Sequence, residues 1–162
     1  MKILAWPIKR LALARLRSIA DGDIVAPIGT ELLVSTASRP VEIAHFEPAE
    51  MPERICVYGM PIRSAVREVT AESPTVLTQT PTLELRVRMF QPGEDREGVD
   101  QALGDLCSAV ASALVDAPLW PTGRLWLSSY AQDAQDLAPN PEPSVTATAA
   151  LVFTAEEVGY AG

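Results

Sequence analysis

The chain has 162 residues, of which 48% are hydrophobic and 21% charged, and its formal net charge is −8. This length and composition are typical of one soluble globular domain with a substantial core, so we interpret residues 1–162 as a single domain. An acidic chain argues against a general nucleic-acid binder, because phosphate contacts need clustered Lys and Arg. No apolar run approaches the ~20 residues of a membrane span, so no membrane partner is expected.

The first predicted element is an amphipathic helix over about residues 7–20. Its apolar residues recur at helical spacing, Pro7 suits a first helical position, and Asp21 with Gly22 ends the pattern. Lys9, Arg10 and Arg17 occupy the other side. A basic amphipathic helix can bind membranes or calmodulin, but the ordinary interpretation is a solvated face on a packed helix.

Residues 23–52 are interpreted as an extended or hairpin region. Two short apolar runs, 24–26 and 31–35, are separated by Pro27 and Gly29 and suggest a hairpin. The following Pro- and Glu-rich stretch, 40–52, predicts a loop or an extended arm. It contains His45, the one His of the chain, which is interpreted as a surface residue because no second ligand accompanies it.

Two or three strands are predicted before the central helix. Residues 54–58 form a short β run, and a strand is favoured over a helix within 62–77. Residues 82–90 alternate most clearly, with apolar residues at odd positions and Glu84, Arg86 and Arg88 at even positions. This period of two predicts one core face and one charged face.

A long helix is predicted over about residues 96–116. Apolar residues recur at the spacing of one helical stripe, and Asp95 is placed to cap the unpaired N–H groups of the first turn. Pro118 cannot continue the helix. Cys107 lies on the apolar stripe, and both it and the distant Cys56 are interpreted as reduced core thiols.

Two strands follow the central helix. Alternation over 124–130 places Leu125 and Leu127 on one face and Trp126, Ser128 and Tyr130 on the other. A stiff polar loop is predicted over 132–143, where Asp133 and Asp136 are interpreted as solvated acids, and then a last strand over 144–154. The tail from Gly159 is expected to fray.

These elements predict an α+β fold: a mixed or antiparallel β-sheet of four to five strands, packed by one long central helix and an N-terminal helix, with the sheet and central helix spanning 54–158. The sequence has no Gly-rich phosphate loop, no nucleophile–base pattern and no metal-ligand spacing. We therefore predict no catalytic, cofactor-binding or metal site, no cofactor, and no enzymatic activity.

The order of elements resembles the tail terminator family of long-tailed, non-contractile bacteriophages. The resemblance covers most of residues 50–158 and consists of the following stretches: a strand at 54–58, Pro-rich turns, a strand at 82–90, the Pro92-Gly93 turn, a long Ala-rich helix ending near Leu114, a strand at 124–130, a Pro/Asp loop and a closing strand at 145–153 followed by acids.

The resemblance implies a structural role in the virion, at the head–tail junction, after assembly in the host cytoplasm. Such proteins form a homo-hexameric ring on the head-proximal end of the tail tube, contact the major tail tube protein and the head-completion protein, and let genome DNA pass through the lumen without specific binding. The residues expected at the subunit interface are Glu84, Arg86, Arg88, Trp126 and Tyr130. Two alternatives remain: another head–tail joint protein (head-closure or tail-completion), and a small α+β ligand-binding module or enzyme.

Overall fold

A computed structural model of the chain describes residues 3–36, 39–49, 54–69, 76–93, 95–115, 117, 120, 124–137, 144–156 and 158–161. The described residues form two helices and eight strands. In chain order these are α1 Ala5–Ala20, a short 3-10 turn Glu31–Leu33, β1 Ser35–Thr36, β2 Arg39–Ala44, β3 Ile55–Gly59, β4 Arg63–Val69, β5 Val76–Pro92, α2 Arg96–Val115, β6 Leu125–Leu137, β7 Ser144–Ala155 and β8 Val158–Ala161.

The sheet is larger than the sequence predicted. The strands β2 to β8 form one mixed sheet, and β1 pairs with β2 at its edge. The main order is β1-β2-β3-β5-β7-β6, with β4 and β8 also paired to β5. The β2–β3 pair is parallel and every other described pair is antiparallel. The predicted fold of four to five strands packed by a long central helix is therefore wrong, because the described chain is mostly sheet.

The strand β5 is the centre of this sheet because both of its halves have partners on two sides. Its first half pairs with β4 and β8, and its second half pairs with β3 and β7. Pro81 has no N–H to donate, and it falls in a gap between two partners of β5. Strand β7 pairs with β5 from Thr82 onward, and β8 pairs with β5 only up to Gln79. A Pro inside a strand is tolerated at such an irregularity.

The predicted N-terminal helix is present, but its start and its basic face differ from the prediction. It begins at Ala5, and the N–H of Leu4 donates to Oε1 of the buried Gln79 on β5 at 3.0 Å. Lys9 was predicted to be solvated, yet the residue is 4% exposed and its Nζ lies 5.1 Å from the ring centre of Phe46. The long aliphatic stem lets a Lys pack in this way.

The predicted central helix and its cap are confirmed. Helix α2 spans Arg96–Val115, and Oδ1 of Asp95 accepts the N–H of Gly98 at 2.9 Å. Asp116 and Pro118 lie outside the described residues. Cys56 and Cys107 are both free and buried, as expected.

The hairpin predicted from runs 24–26 and 31–35 is wrong. Residues 24–26 are irregular, and 31–33 form the 3-10 turn, which Thr30 supports by donating Oγ1 to the carbonyl of Pro27 at 2.7 Å. The pairing falls instead on β1 and β2, so part of the stretch predicted as a loop or arm is a strand. Backbone pairing with β3 decides this, because the Pro- and Glu-rich sequence gives little β signal.

Two more predictions need correction near the C-terminus. Strand β6 continues to Leu137, so Asp133 and Asp136 lie in an exposed part of a strand rather than in a loop. The tail from Gly159 belongs to β8, which pairs with β5. The prolines at 139, 141 and 143 lie outside the described residues. The strands predicted at 54–58, within 62–77, at 82–90 and at 144–154 are present as β3, β4, β5 and β7.

Both helices pack on the same side of the sheet, where the hydrophobic core forms one cluster. Helix α1 lies against β2, β3 and β5, and α2 lies against β5, β6 and β7. We call this side the covered face. The other side carries Glu84, Arg86, Arg88, Thr148 and Trp126, and has no described helix on it; we call it the open face.

Candidate interaction surfaces

Four of the five residues predicted at an interface share the open face. Glu84, Arg86 and Arg88 lie directly opposite Val152, Ala150 and Thr148 of β7. Trp126 lies opposite Thr154, which is in turn opposite Thr82 of β5, and 37% of its surface is exposed. The alternation of β5 and the register of the antiparallel ladders place these side chains together.

The charges on the open face are partly neutralised within the chain. Nε and Nη2 of Arg86 both donate to Oε1 of Glu84, at 3.2 and 2.9 Å. The Glu84 side chain is 15% exposed and that of Arg86 is 41% exposed. A pair this accessible contributes little to stability, but it fixes the orientation of Arg86 along the strand.

Arg88 is the least satisfied group on the open face. Its guanidinium carbon lies 6.0 Å from the ring centre of Tyr58, and its Nε and Nη2 atoms are buried without a hydrogen-bond partner. In the part of the chain that the structure describes, one other side-chain atom, Oγ of Ser64, is in the same condition. Buried donors normally have partners, because an unmade hydrogen bond costs free energy.

Tyr130 does not lie with the other four residues, so its predicted placement beside Trp126 is wrong. A register shift between Leu127 and Ser129 inserts one residue into β6, and Tyr130 therefore comes opposite the core residue Leu151. Such a bulge turns all later side chains of the strand to the other face. Ser128, the inserted residue, donates Oγ to the carbonyl of Val152 at 3.0 Å.

On the covered side Tyr130 belongs to a polar network between β6 and α2. Its hydroxyl donates to Oε1 of Gln132, and Nε2 of Gln132 donates to Asp100 of α2, at 3.1 Å to the carbonyl oxygen and 2.7 Å to Oδ1. Burial is the main cause that raises the pKa of the Tyr130 hydroxyl above its usual value. This network ties the exposed edge of the sheet to the helix.

A groove of about 440 Å³ lies between α2 and β6 beside this network. We call it the α2–β6 groove, and its wall is formed mainly by Gly104, Cys107, Ser108, Ala111, Leu127 and Tyr130. It exists because the α2 residues toward β6 are small. Burial raises the pKa of the Cys107 thiol to about 11, so this thiol stays protonated near neutral pH.

An acidic recess of about 420 Å³ lies next to the groove, and Gln132 lines both. Glu97 and Asp100 line the recess together with Arg96, whose guanidinium is 4.0 Å from the carboxylate of Asp136. Asp133 contributes to the rim, but its carboxylate accepts from Gln135 on the open face. The carboxylates of Glu97, Asp100 and Asp136 outnumber the single cation.

The sequence interpretation did not identify this groove. The available signal was the series of small residues Gly104, Ser108 and Ala111 at helical spacing on α2. Such a series also occurs where helices simply pack closely, so it does not by itself indicate a groove.

The described residues contain no group of three or more His, Cys, Asp and Glu side chains that could hold a metal ion. His45 lies next to Phe46, and its pKa is lowered by burial and by the charges of Lys9 and Arg17. Trp120 is buried and donates Nε1 to the carbonyl of Leu114 at 2.9 Å, which gives it a place in the core. None of the described helices is long and apolar enough to cross a membrane.

A scan against protein-family models matches no family, and a search of the curated proteins finds no match.

Proposed function

We propose that this protein is a virion structural protein, a tail terminator that forms a hexameric ring on the head-proximal end of a phage tail tube. In this role it stops tube polymerisation and joins the tail to the head-completion protein. The observation that carries the proposal is the open face, a broad sheet surface that has no described helix on it and bears fixed charges.

The condition of Arg88 supports an assembly role for this face. Two of its nitrogens are withdrawn from solvent and have no hydrogen-bond partner among the described residues. An acceptor on a neighbouring molecule would complete its hydrogen bonds, and mixed charge gives a contact specificity and suppresses wrong partners. The chain's net charge of −8 also suits a ring through which DNA passes, because an acidic wall does not hold a polyanion.

The direct test combines native mass spectrometry of the free protein with electron microscopy of the protein mixed with purified tail tubes. We expect a six-subunit ring in at least one of these preparations, and a single ring at one end of each tube. A protein that stays monomeric and leaves both tube ends bare contradicts the proposal. Rings that bind portal–adaptor complexes but not tubes favour a head-closure or tail-completion protein.

The role of the open face is tested by the double variant Arg86→Glu, Arg88→Glu. In this variant two new carboxylates repel the carboxylate of Glu84, which in the wild type is neutralised by Arg86. We expect a folded protein that no longer forms the ring. Asp23→Arg, at an exposed position after α1 and away from the open face, is the charge-reversal control. Normal rings from the double variant would leave the terminator role standing but remove the open face from the subunit contact.

The α2–β6 groove favours a second candidate function, a small ligand-binding module. Ligand sites are concave and mostly apolar with a few convergent polar groups, and the groove joins an apolar wall to the Tyr130–Gln132–Asp100 network. A thermal-shift screen with small apolar alcohols and acids tests this function. A compound that stabilises the wild type but not Ser108→Trp would support it.

A further inference from the structure

The exposed side of α1 carries an apolar and basic stripe that the described residues leave uncovered. Ile3 and Trp6 are 50% and 47% exposed, and the guanidinium carbon of Arg10 lies 5.1 Å from the ring centre of Trp6. The spacing of four residues puts Trp6 and Arg10 on one side of the helix, and Ile3 is exposed just before its first turn. We call Ile3, Trp6 and Arg10 the α1 stripe.

The α1 stripe points away from α2. Arg15 faces α2, since its Nε donates to the carbonyl of Ala113 at 2.6 Å. Trp6 is nine residues earlier, which is two and a half turns of a helix with about 3.6 residues per turn. It therefore lies on the opposite side of α1.

The α1 stripe and the α2–β6 groove belong to opposite ends of the sheet. Helix α1 packs on β2, β3 and β5, whereas the groove is built on β6, the strand at the other end of the order. Two different patches at opposite ends of one subunit are what a head-to-tail contact requires, and such a contact closes into a ring when the rotation allows it.

The charges of the two patches are complementary. The first 17 residues contain five Lys and Arg and no acid, which leaves the rest of the chain at −13. The recess beside the groove has the carboxylates of Glu97 and Asp100, and Asp136 lies next to its one cation, Arg96. Arg10 and Arg17 are both exposed on α1, so basic side chains would meet this acidic recess.

We propose that the α2–β6 groove holds the α1 stripe of a second copy of this chain, with Trp6 against the small residues of α2 and Arg10 toward the acidic recess. The inference rests on the proposed ring and adds a second contact to the one proposed for the open face. A helix laid into an apolar groove is a common recognition mode. Trp and Arg are also the residues that most often dominate binding energy at interfaces.

The test uses two variants that each damage one half of the contact. The stripe variant is Trp6→Ala, Arg10→Glu, and the groove variant is Ser108→Trp, which fills the groove from an exposed position of α2. Neither variant alone should form a ring, and each contact should weaken by at least about 30-fold, as expected for a hot-spot residue. Thermal melts show whether both variants remain folded.

Mixing the two variants gives the decisive result. In the mixture, the intact stripe of the groove variant can enter the intact groove of the stripe variant. The resulting dimer cannot add a third subunit through this contact, because its free groove is filled and its free stripe is altered. Native mass spectrometry should therefore show a one-to-one dimer and no ring. Monomers alone in the mixture, with both variants folded, overturn the inference.

One control variant and the outcomes below separate this inference from the proposed function. Asp23→Arg, at an exposed position after α1 that belongs to neither patch nor to the open face, should form rings normally. If the stripe and groove variants also form rings, the inference is wrong and the terminator role stands. If the mixture gives the one-to-one dimer but the wild type leaves tube ends bare, the contact is right and the terminator role is wrong. A wild type that stays monomeric in both preparations overturns both.

Discussion

The two faces of the sheet differ although one strand supplies both. On β5 the residues Leu83, Leu85, Val87 and Met89 point to the covered face and are at most 3% exposed. Between them, Glu84, Arg86 and Arg88 point to the open face and stay partly accessible. The covered face holds the fold together, and the open face is therefore free to carry recognition without a large cost in stability.

The largest expected effect is on the covered face. Leu106 is fully buried on α2, and Leu106→Asp would bury a charge that has no partner, which destabilises by at least about 4 kcal/mol. We expect insoluble or unfolded protein, measured by circular dichroism and thermal melting. Gln101→Asp, at an exposed position of the same helix, should melt normally. An equally stable Leu106→Asp would mean that α2 does not pack on the sheet.

The next largest effect is expected at alkaline pH, where the two buried thiols of Cys56 and Cys107 ionise. Burial raises the pKa of Cys56 and of Cys107 to about 11. Since an unfolded thiol titrates near 8.5, the stability that each neutral thiol contributes is present below that pH and is lost as pH rises toward 11. The loss is about 3 kcal/mol per thiol.

Urea melts at pH 7, 9 and 11 measure this loss. Cys56→Ala and Cys107→Ala should each flatten the decline above pH 9, relative to the wild type. A decline that neither substitution changes would place the alkaline sensitivity in other groups, such as Tyr58, whose pKa is also raised by burial.

A smaller effect is expected at the start of α2. Asp95→Ala removes the acceptor for the Gly98 N–H and should lower the free energy of unfolding by about 1 kcal/mol. Asp95→Asn keeps an oxygen at the same place and is the matched control. Equal denaturation midpoints for Asp95→Ala and wild type would show that the cap does not contribute to the stability of the covered face.

The smallest effect, and one of opposite sign, is expected on the open face. Arg88→Met removes two buried donors that have no partner among the described residues and should leave stability unchanged or raise it by up to about 1 kcal/mol in the free protein. Arg86→Met is the control, because it breaks the pair between the partly exposed Arg86 and Glu84 and should change stability by no more than about 1 kcal/mol. Strong destabilisation by Arg88→Met would mean that Arg88 serves the fold of the isolated chain.

The elements with strong local signals could be predicted from the sequence. The period of two on β5 and the 3-4 spacing and Asp95 cap of α2 depend on residues close in the chain, so their type and place agree with the structure. The charged face of β5 was predicted for the same reason.

The tertiary structure decided the features that depend on distant partners. Strand β2 forms because β3 lies beside it, and β8 forms because β5 extends past the end of β7. Lys9 is buried because Phe46 and the glycine at 59 lie against its side chain, where a Cβ at Gly59 would come within 2.5 Å of Cε of Lys9.

The candidate site divides in the same way. The sequence by itself determined that Glu84, Arg86 and Arg88 share one face, because a strand alternates without exception until a bulge occurs. The position of Tyr130 depended on the extra residue near Ser128, which the sequence does not mark with a Gly or any other signal. The tertiary structure alone brought Tyr130 over to α2 and formed the groove, since a one-residue shift in register reverses every side chain that follows it.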